Sequence, residues 1–270
     1  MSYDARERSA DQGEPIELFE FGRDYQRWRY TSADREVTAD SLVYRPAAIS
    51  RSAIEISVDK PRNAITITAP RDLEVAELYR IQPPTTAVSV ILREYHRGDD
   101  DVATIWSGRI VTVAWIGPAC EISCEPISSG MRRLGLRRLY QRQCPHVLYD
   151  SACTVNREAV RVDGIIDSIS GDAITVPEAD VLADGWFAGG YLEFDVALGI
   201  AERRFITDHT GPVLTISGAS YGMAVGSSVR LYPGCDHTIA TCQGKFSNAA
   251  NYGGFPYFAT KNPFGSDPIF

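Results

Sequence analysis

The sequence predicts a mainly β protein, and two observations carry that prediction. Its apolar residues come in short runs rich in Val, Ile, Thr, Tyr and Phe, and the runs often alternate in polarity. Gly, Pro, Asn and Asp clusters such as Lys60-Pro61-Arg62-Asn63 and Gly98-Asp99-Asp100 interrupt them, as turns require. From the N-terminus, the expected strands are ELFEFG, WRYTS, SLVYRPAAI, AIEISVD, AITITAP, AVSVILREYH, ATIWSGRIVTVAWI and CEISCEPI, with DLEVAELYR a short helix among them. Residues 15–128 thus form one β-barrel or sandwich-like domain after a flexible N-terminus, 1–14. Cys120 and Cys124 stand four apart on its last strand, so both point to one face, where packing is their expected role.

The character changes at Ser128. Arg132, Arg133, Arg137, Arg138 and Arg142 are interleaved with Leu134, Leu136, Leu139 and Tyr140, and Gly135 weakens any helix there. Residues 129–159 are read as an Arg-rich connector, either an extended arm or a short helix. A small second β domain follows over 160–234, in VRVDGIIDSIS, AITVP, GYLEFDVA, AERRFITDHTG, VLTISGA and SVRLYPG, with turns at Gly171-Asp172, Gly189-Gly190 and Gly211-Pro212. Residues 235–270 carry the second cysteine pair and an extended C-terminal arm, irregular from Gln243 on. Phe246, Tyr252, Phe255, Tyr257, Phe258, Phe264 and Phe270 make it too aromatic for a solvated tail, so it packs on its own chain or on a partner.

The chemistry concentrates in four cysteines. Cys144 and Cys153 are spaced C-x8-C, Cys235 and Cys242 C-x6-C, and 81 residues separate the pairs. Each pair begins beside Pro or Pro-Gly and has a His two positions on, His146 and His237. Four soft ligands on two turn-rich loops suit an all-cysteine metal or iron–sulfur site. The short C-x2-C knuckle is absent, so two disulfides or four unrelated thiols stay open on spacing alone. The second domain lies between the pairs, so its ends must meet if all four sulfurs share one site.

Composition narrows the class. At 270 residues, with 44% hydrophobic and 23% charged residues, the chain has the make-up of a soluble globular protein able to bury a sizeable core. No apolar run approaches the roughly 18–20 residues of a membrane span, and the N-terminus lacks the apolar core of a signal peptide. The expected compartment is the cytoplasm, where six thiols favour metal ligation or free cysteine over disulfides. A net charge of -8 argues against a general nucleic-acid surface. There is no phosphate loop, H-E-x-x-H or G-x-S-x-G, so an enzyme reading has little support.

Taken together, QRQCPHVLYDSAC, the β domain after it and VRLYPGCDHTIATCQGKFSNAANYGGFP resemble a family of phage tail hub proteins. These are the tail-tip or baseplate hub proteins of siphophages and gene transfer agents, with the lambda-like tail-tip protein L more distant. The N-terminal ELFEFGRDYQRWRYTSADREVTADSLVYRPAAISRSAIE is similar to the start of the same family. The resemblance implies a structural, non-enzymatic tail-tip component of the virion, assembled in the bacterial cytoplasm. It implies a homotrimer between a distal tail ring and a central hub or fibre protein, in reach of the tape measure protein, without a nucleic-acid or transmembrane site. It also implies a [4Fe-4S] cluster on Cys144, Cys153, Cys235 and Cys242, with zinc the alternative metal and no ligand role for Cys120 or Cys124. Arg138 and Arg142 are then candidate counter-charges, and His146 and His237 candidate donors to sulfur. An iron–sulfur or zinc enzyme, an electron carrier and a tail-associated cysteine peptidase are the competing functions.

Overall fold

The computed structural model describes residues 3–9, 11, 13–55, 63–98, 101–132, 135, 139–197 and 200–257. The chain divides into two compact units, Met1–Arg133 and Leu134–Phe270.

In the first unit the strands are β1 (Pro15–Arg23), β2 (Gln26–Thr31), β3 (Val37–Ala39), β4 (Leu42–Pro46), β5 (Ser50–Arg51), β6 (Ile65–Pro70), β7 (Ser89–His96), β8 (Val102–Ile116) and β9 (Ala119–Pro126). They form one sheet in the order β3-β4-β2-β1-β7-β8-β9-β6-β5. β4 and β5 are successive pieces of one bent segment. Ala47 N–H donates to Thr31 O, and Ser52 N–H donates to Thr66 O. The segment therefore bonds β2 at one end of the sheet and β6 at the other, which curls the sheet on itself. Phe19, Phe21, Ile67, Val90, Leu92 and Ile122 fill the interior, and Leu18, Val37, Ala39 and Tyr44 form a small core on the other face of β1. That two-sided burial explains why β1 is buried from Leu18 to Arg23 without alternation. The short helix expected near residue 74 is α2 (Glu74–Glu77), after α1 (Tyr3–Glu7), and its fully buried Val75 and Ala76 join the main core.

SLVYRPAAI is broken at Pro46, whose ring removes a backbone donor. AIEISVD forms no strand over 53–55, and its residues 56–59 fall outside the described residues, as does the Lys60–Arg62 turn. β3, missed in the sequence, is three residues among polar neighbours, too short for an alternation to register.

The second unit has β10 (Val162–Ile165), β11 (Ser168–Ser170), β12 (Ala173–Thr175), β13 (Tyr191–Ala197), β14 (Ile200–Thr210), β15 (Val213–Ile216) and β16 (Ser228–Tyr232). Every pairing is antiparallel, in the order β10-β16-β13-β14-β15-β12-β11. The two end strands are again halves of one bent segment, VRVDGIIDSIS: Ile166 N–H bonds Ser227 O and Asp167 N–H bonds Thr175 O. Ile174, Phe187, Leu192, Ile206, Leu214 and Leu231 fill the interior. After β16 the chain forms α3 (Ile239–Phe246), an element whose second half the sequence reading assigned to irregular structure. Its first turn is capped by Thr238 Oγ1, which accepts from Thr241 N–H at 3.2 Å, and it stops at Ser247 in the left-handed region.

Candidate functional site

The site is built on the part of the connector that precedes β10, the turn after β16, and α3 with the segment beyond it. Asp150 shapes the first stretch. Its carboxylate accepts the N–H groups of Ala152 at 2.9 Å, Cys153 at 2.6 Å and Val147 at 3.3 Å. Those bonds, that of Cys153 first, hold its carboxyl below the usual range. Tyr149 lies edge-on to Tyr191, Tyr232 and Phe246 and donates its hydroxyl to Pro233 O at 2.6 Å, fastening this loop to the end of β16. Cys144 N–H donates to His237 O at 2.9 Å, so the two cysteine loops are also bonded to each other.

Cys144, Cys153, Cys235 and Cys242 line a single small cavity of about 20 Å³. Leu148, Val155 and Phe246 make part of its wall apolar, and His146 and His237 line it as well. All six cysteines are unbonded thiols, so neither pair is a disulfide. Burial pushes the Cys235 and Cys242 thiols up, and the neighbouring thiols add to the effect. Among the described residues no three His, Cys, Asp or Glu side chains are gathered as ligands of a single metal ion.

N–H groups face three of the four sulfurs. Gly253 N–H donates to Cys144 Sγ at 3.4 Å, His237 N–H to Cys235 Sγ at 3.3 Å, and Asn248 Nδ2 stands 4.0 Å from Cys153 Sγ while donating to Cys153 O. Cys242 Sγ donates to Asn248 O at 3.3 Å. Such donors stabilise thiolates, and four sulfurs on two cross-bonded loops fit an all-cysteine cofactor in donor chemistry.

Sequence reasoning missed one cation whose charge interacts with Cys235. Lys245 Nζ is directed at the Gly234 carbonyl at 2.7 Å and the Trp186 carbonyl, and lies 4.7 Å from the centre of the Trp186 ring. Desolvation lowers its pKa to about 8, against the opposing pull of Cys235 and Asp236. Arg142, an expected counter-charge, is exposed, and its carbonyl accepts from Tyr252 Oη at 2.7 Å. Arg138 lies outside the described residues, as do Arg133 and Arg137 and the side chain of Arg132. The signal for Lys245 was its place three residues after Cys242, one helical turn away, but that is visible only once α3 is known to be a helix.

The segment after α3 is fastened to its own chain as far as Phe255, while Tyr257 is 96% exposed. Phe255 N–H bonds Gln141 O at 2.9 Å, and its ring lies 4.0 Å from that of Tyr140. Tyr252 Oη reaches His237 O at 3.0 Å. Phe258, Phe264 and Phe270 lie outside the described residues. Cys120 and Cys124 belong to the other unit, where both are buried in the main core.

Two family models match this architecture. Residues 22–156 match the family described as baseplate hub protein, N-terminal attachment domain. The chain belongs to the phage baseplate hub protein family. Residues 185–262 of this hub protein, which include Cys235 and Cys242, match a second family, described as phage conserved hypothetical protein BR0599. As a baseplate hub protein it is a structural component of a virion. Its fold is that of a chain in a solved structure, the virion of a native gene transfer agent particle, with a TM-score of 0.77 at 18% identity over 100% of this chain and 99% of that one. An uncharacterized protein of Xylella fastidiosa (strain 9a5c) is 28% identical over 179 residues, 61% of this chain. The match spans 37% of that relative's length. Among the described residues no helix is long and apolar enough to cross a membrane.

Proposed function

We propose that the chain is a hub subunit that joins the distal tail ring to the central hub or fibre protein as a homotrimer, with a [4Fe-4S] cluster on Cys144, Cys153, Cys235 and Cys242 stapling its second unit. One observation carries the cofactor reading: four cysteines from loops 81 residues apart in sequence line one cavity, with N–H donors directed at three sulfurs. When bound, such a cluster supplies a cross-link between the two loops. The chain's own part is to present four thiolates, to shield them behind Leu148, Val155 and Phe246, and to offset their charge with backbone N–H groups and the Lys245 ammonium. Closing so long a loop restricts the unfolded chain strongly, and ligation energy at such a site is folding energy. A metal cross-link also forms in a reducing cytoplasm, where a disulfide does not persist.

A cysteine peptidase with Cys144 or Cys235 as nucleophile would leave the paired spacing of the four cysteines unexplained, so the reading favoured here is architectural.

Protein purified without oxygen should be brown, absorb broadly near ~400 nm and hold iron and sulfide in equal amounts. Replacing any of the four cysteines by Ser should abolish that absorption and loosen the second unit, while Cys124→Ser leaves the iron content unchanged. Colourless protein with one zinc per chain would transfer the site to zinc, and protein with neither would end the metal reading.

A further inference from the structure

The first unit carries a groove that the four-cysteine site does not involve. It has a volume of about 480 Å³ and is lined by Arg27, Arg29 and Arg45, by Tyr25 and Trp28, and by a single acid, Glu74. Three arginines stand against Glu74 in the lining and the neighbouring Glu20, so the groove stays net positive in a chain whose net charge is -8. Arg27 and Arg29 lean toward Glu20 at 3.7 and 3.6 Å, beyond hydrogen-bond distance, and Arg29 Nε is buried without a hydrogen-bond partner. Tyr25 is 60% exposed, a large aromatic surface open at the rim.

The backbone along the groove is also half open. β2 pairs with β1 over its whole length, but β4 meets it only at Tyr30↔Arg45 and Thr31↔Pro46. Over Gln26–Arg29 the strand therefore has a paired neighbour on one side alone. A strand edge of this kind accepts an added extended segment through main-chain bonds, and side chains beside it select the segment. Here those side chains are guanidinium groups, which pair with carboxylates in bidentate fashion, and aromatic rings, which bury apolar surface at little entropic cost.

We propose that this groove is a docking site for an extended, acid-bearing segment of another virion protein, which lies beside Gln26–Arg29 and places its carboxylates on Arg29 and Arg45. The inference rests on the baseplate role but not on the metal. Charge complementarity selects the occupant: an acidic strand satisfies both the net positive groove and the open edge, whereas a neutral peptide adds no counter-charge to Arg29 and Arg45.

The test uses assembled particles and two variants of groove residues outside the cores, Arg45→Glu and Val43→Asp, with Arg97→Glu as a control outside the groove. Both groove variants should fold with unchanged melting temperature and yet enter particles at least about tenfold less, the loss of one charge-assisted contact pair. The control should enter normally. A photo-crosslinking residue at position 43 should capture a peptide of another tail protein containing Asp or Glu within the crosslinked stretch. Normal entry of both variants would overturn the proposal, as would crosslinks to a neutral peptide, to a second copy of this chain or to a glycan. Absence of the unaltered chain from particles would instead overturn the baseplate role itself.

Discussion

Cys124 stands on β9 with its thiol in the main core of the first unit, and burial alone pushes it up to about 12 from 9.0. Tyr30 and Tyr79, in the same unit, are raised to about 12 chiefly by desolvation. A raised acid holds its proton longer in the folded than in the unfolded chain, so its contribution is complete below pH 9 and is lost as pH rises toward 12. For Cys124 the loss is about 2 kcal/mol at about pH 10.5. Urea unfolding of the first unit, followed at about pH 8 and about pH 10.5, should show a decline at least that large, and Cys124→Val should reduce it by about 2 kcal/mol while the tyrosine part stays. An equal decline in the variant would mean that the tyrosines alone carry the alkaline sensitivity. An even spacing on a strand was enough to place Cys120 and Cys124 on one buried face, because strand periodicity needs no partner to be read. Lys245 was not legible, because its role depends on the Trp186 and Gly234 carbonyls, which are 59 and 11 residues away in sequence.

At the scale of elements, α3 and the segment after it show how one residue type can have opposite consequences a few positions apart. Gly244 lies inside α3, where an added Cβ meets nothing within 4 Å. Gly244→Ala should therefore stabilise the second unit by about 0.5–1 kcal/mol, since Ala gains helix propensity without a clash. Gly254 lies where the last described segment crosses the connector, and a Cβ there would stand 2.5 Å from Arg142 O and 2.7 Å from Gln143 C. Both are backbone atoms, so Gly254→Ala must lift the segment away and should cost about 1–3 kcal/mol. Thermal melts of the two variants check this pair, and a neutral Gly254→Ala would show the segment to be only loosely held. Most strands were readable because β-branched runs between turn residues have few other uses. α3 was missed because Gly244 and Thr241 dilute its pattern, and eight residues span barely two turns.

Over the whole molecule, each unit has its own sheet and its own apolar core, so each should unfold as a cooperative block. Calorimetry should resolve two transitions, and with the proposed cluster an iron chelator with mild oxidant should lower only that of the second unit, by several degrees or more. A shift of both transitions together would show the proposed staple to be coupled to the entire chain. The sequence by itself determined the mainly β class, most strand positions, the burial of Cys120 and Cys124, the singling out of Cys144, Cys153, Cys235 and Cys242, and the resemblance to tail hubs. These are local patterns of polarity, turn chemistry and spacing, which need no knowledge of distant neighbours. Only the tertiary structure decided that the bent segments β4–β5 and β10–β11 each bond both ends of their sheets, that the four thiols line one cavity, and that Lys245 is held on the Trp186 and Gly234 carbonyls within electrostatic reach of Cys235. Each of those depends on which residues far apart in sequence become neighbours, and backbone pairing across the whole unit settles that.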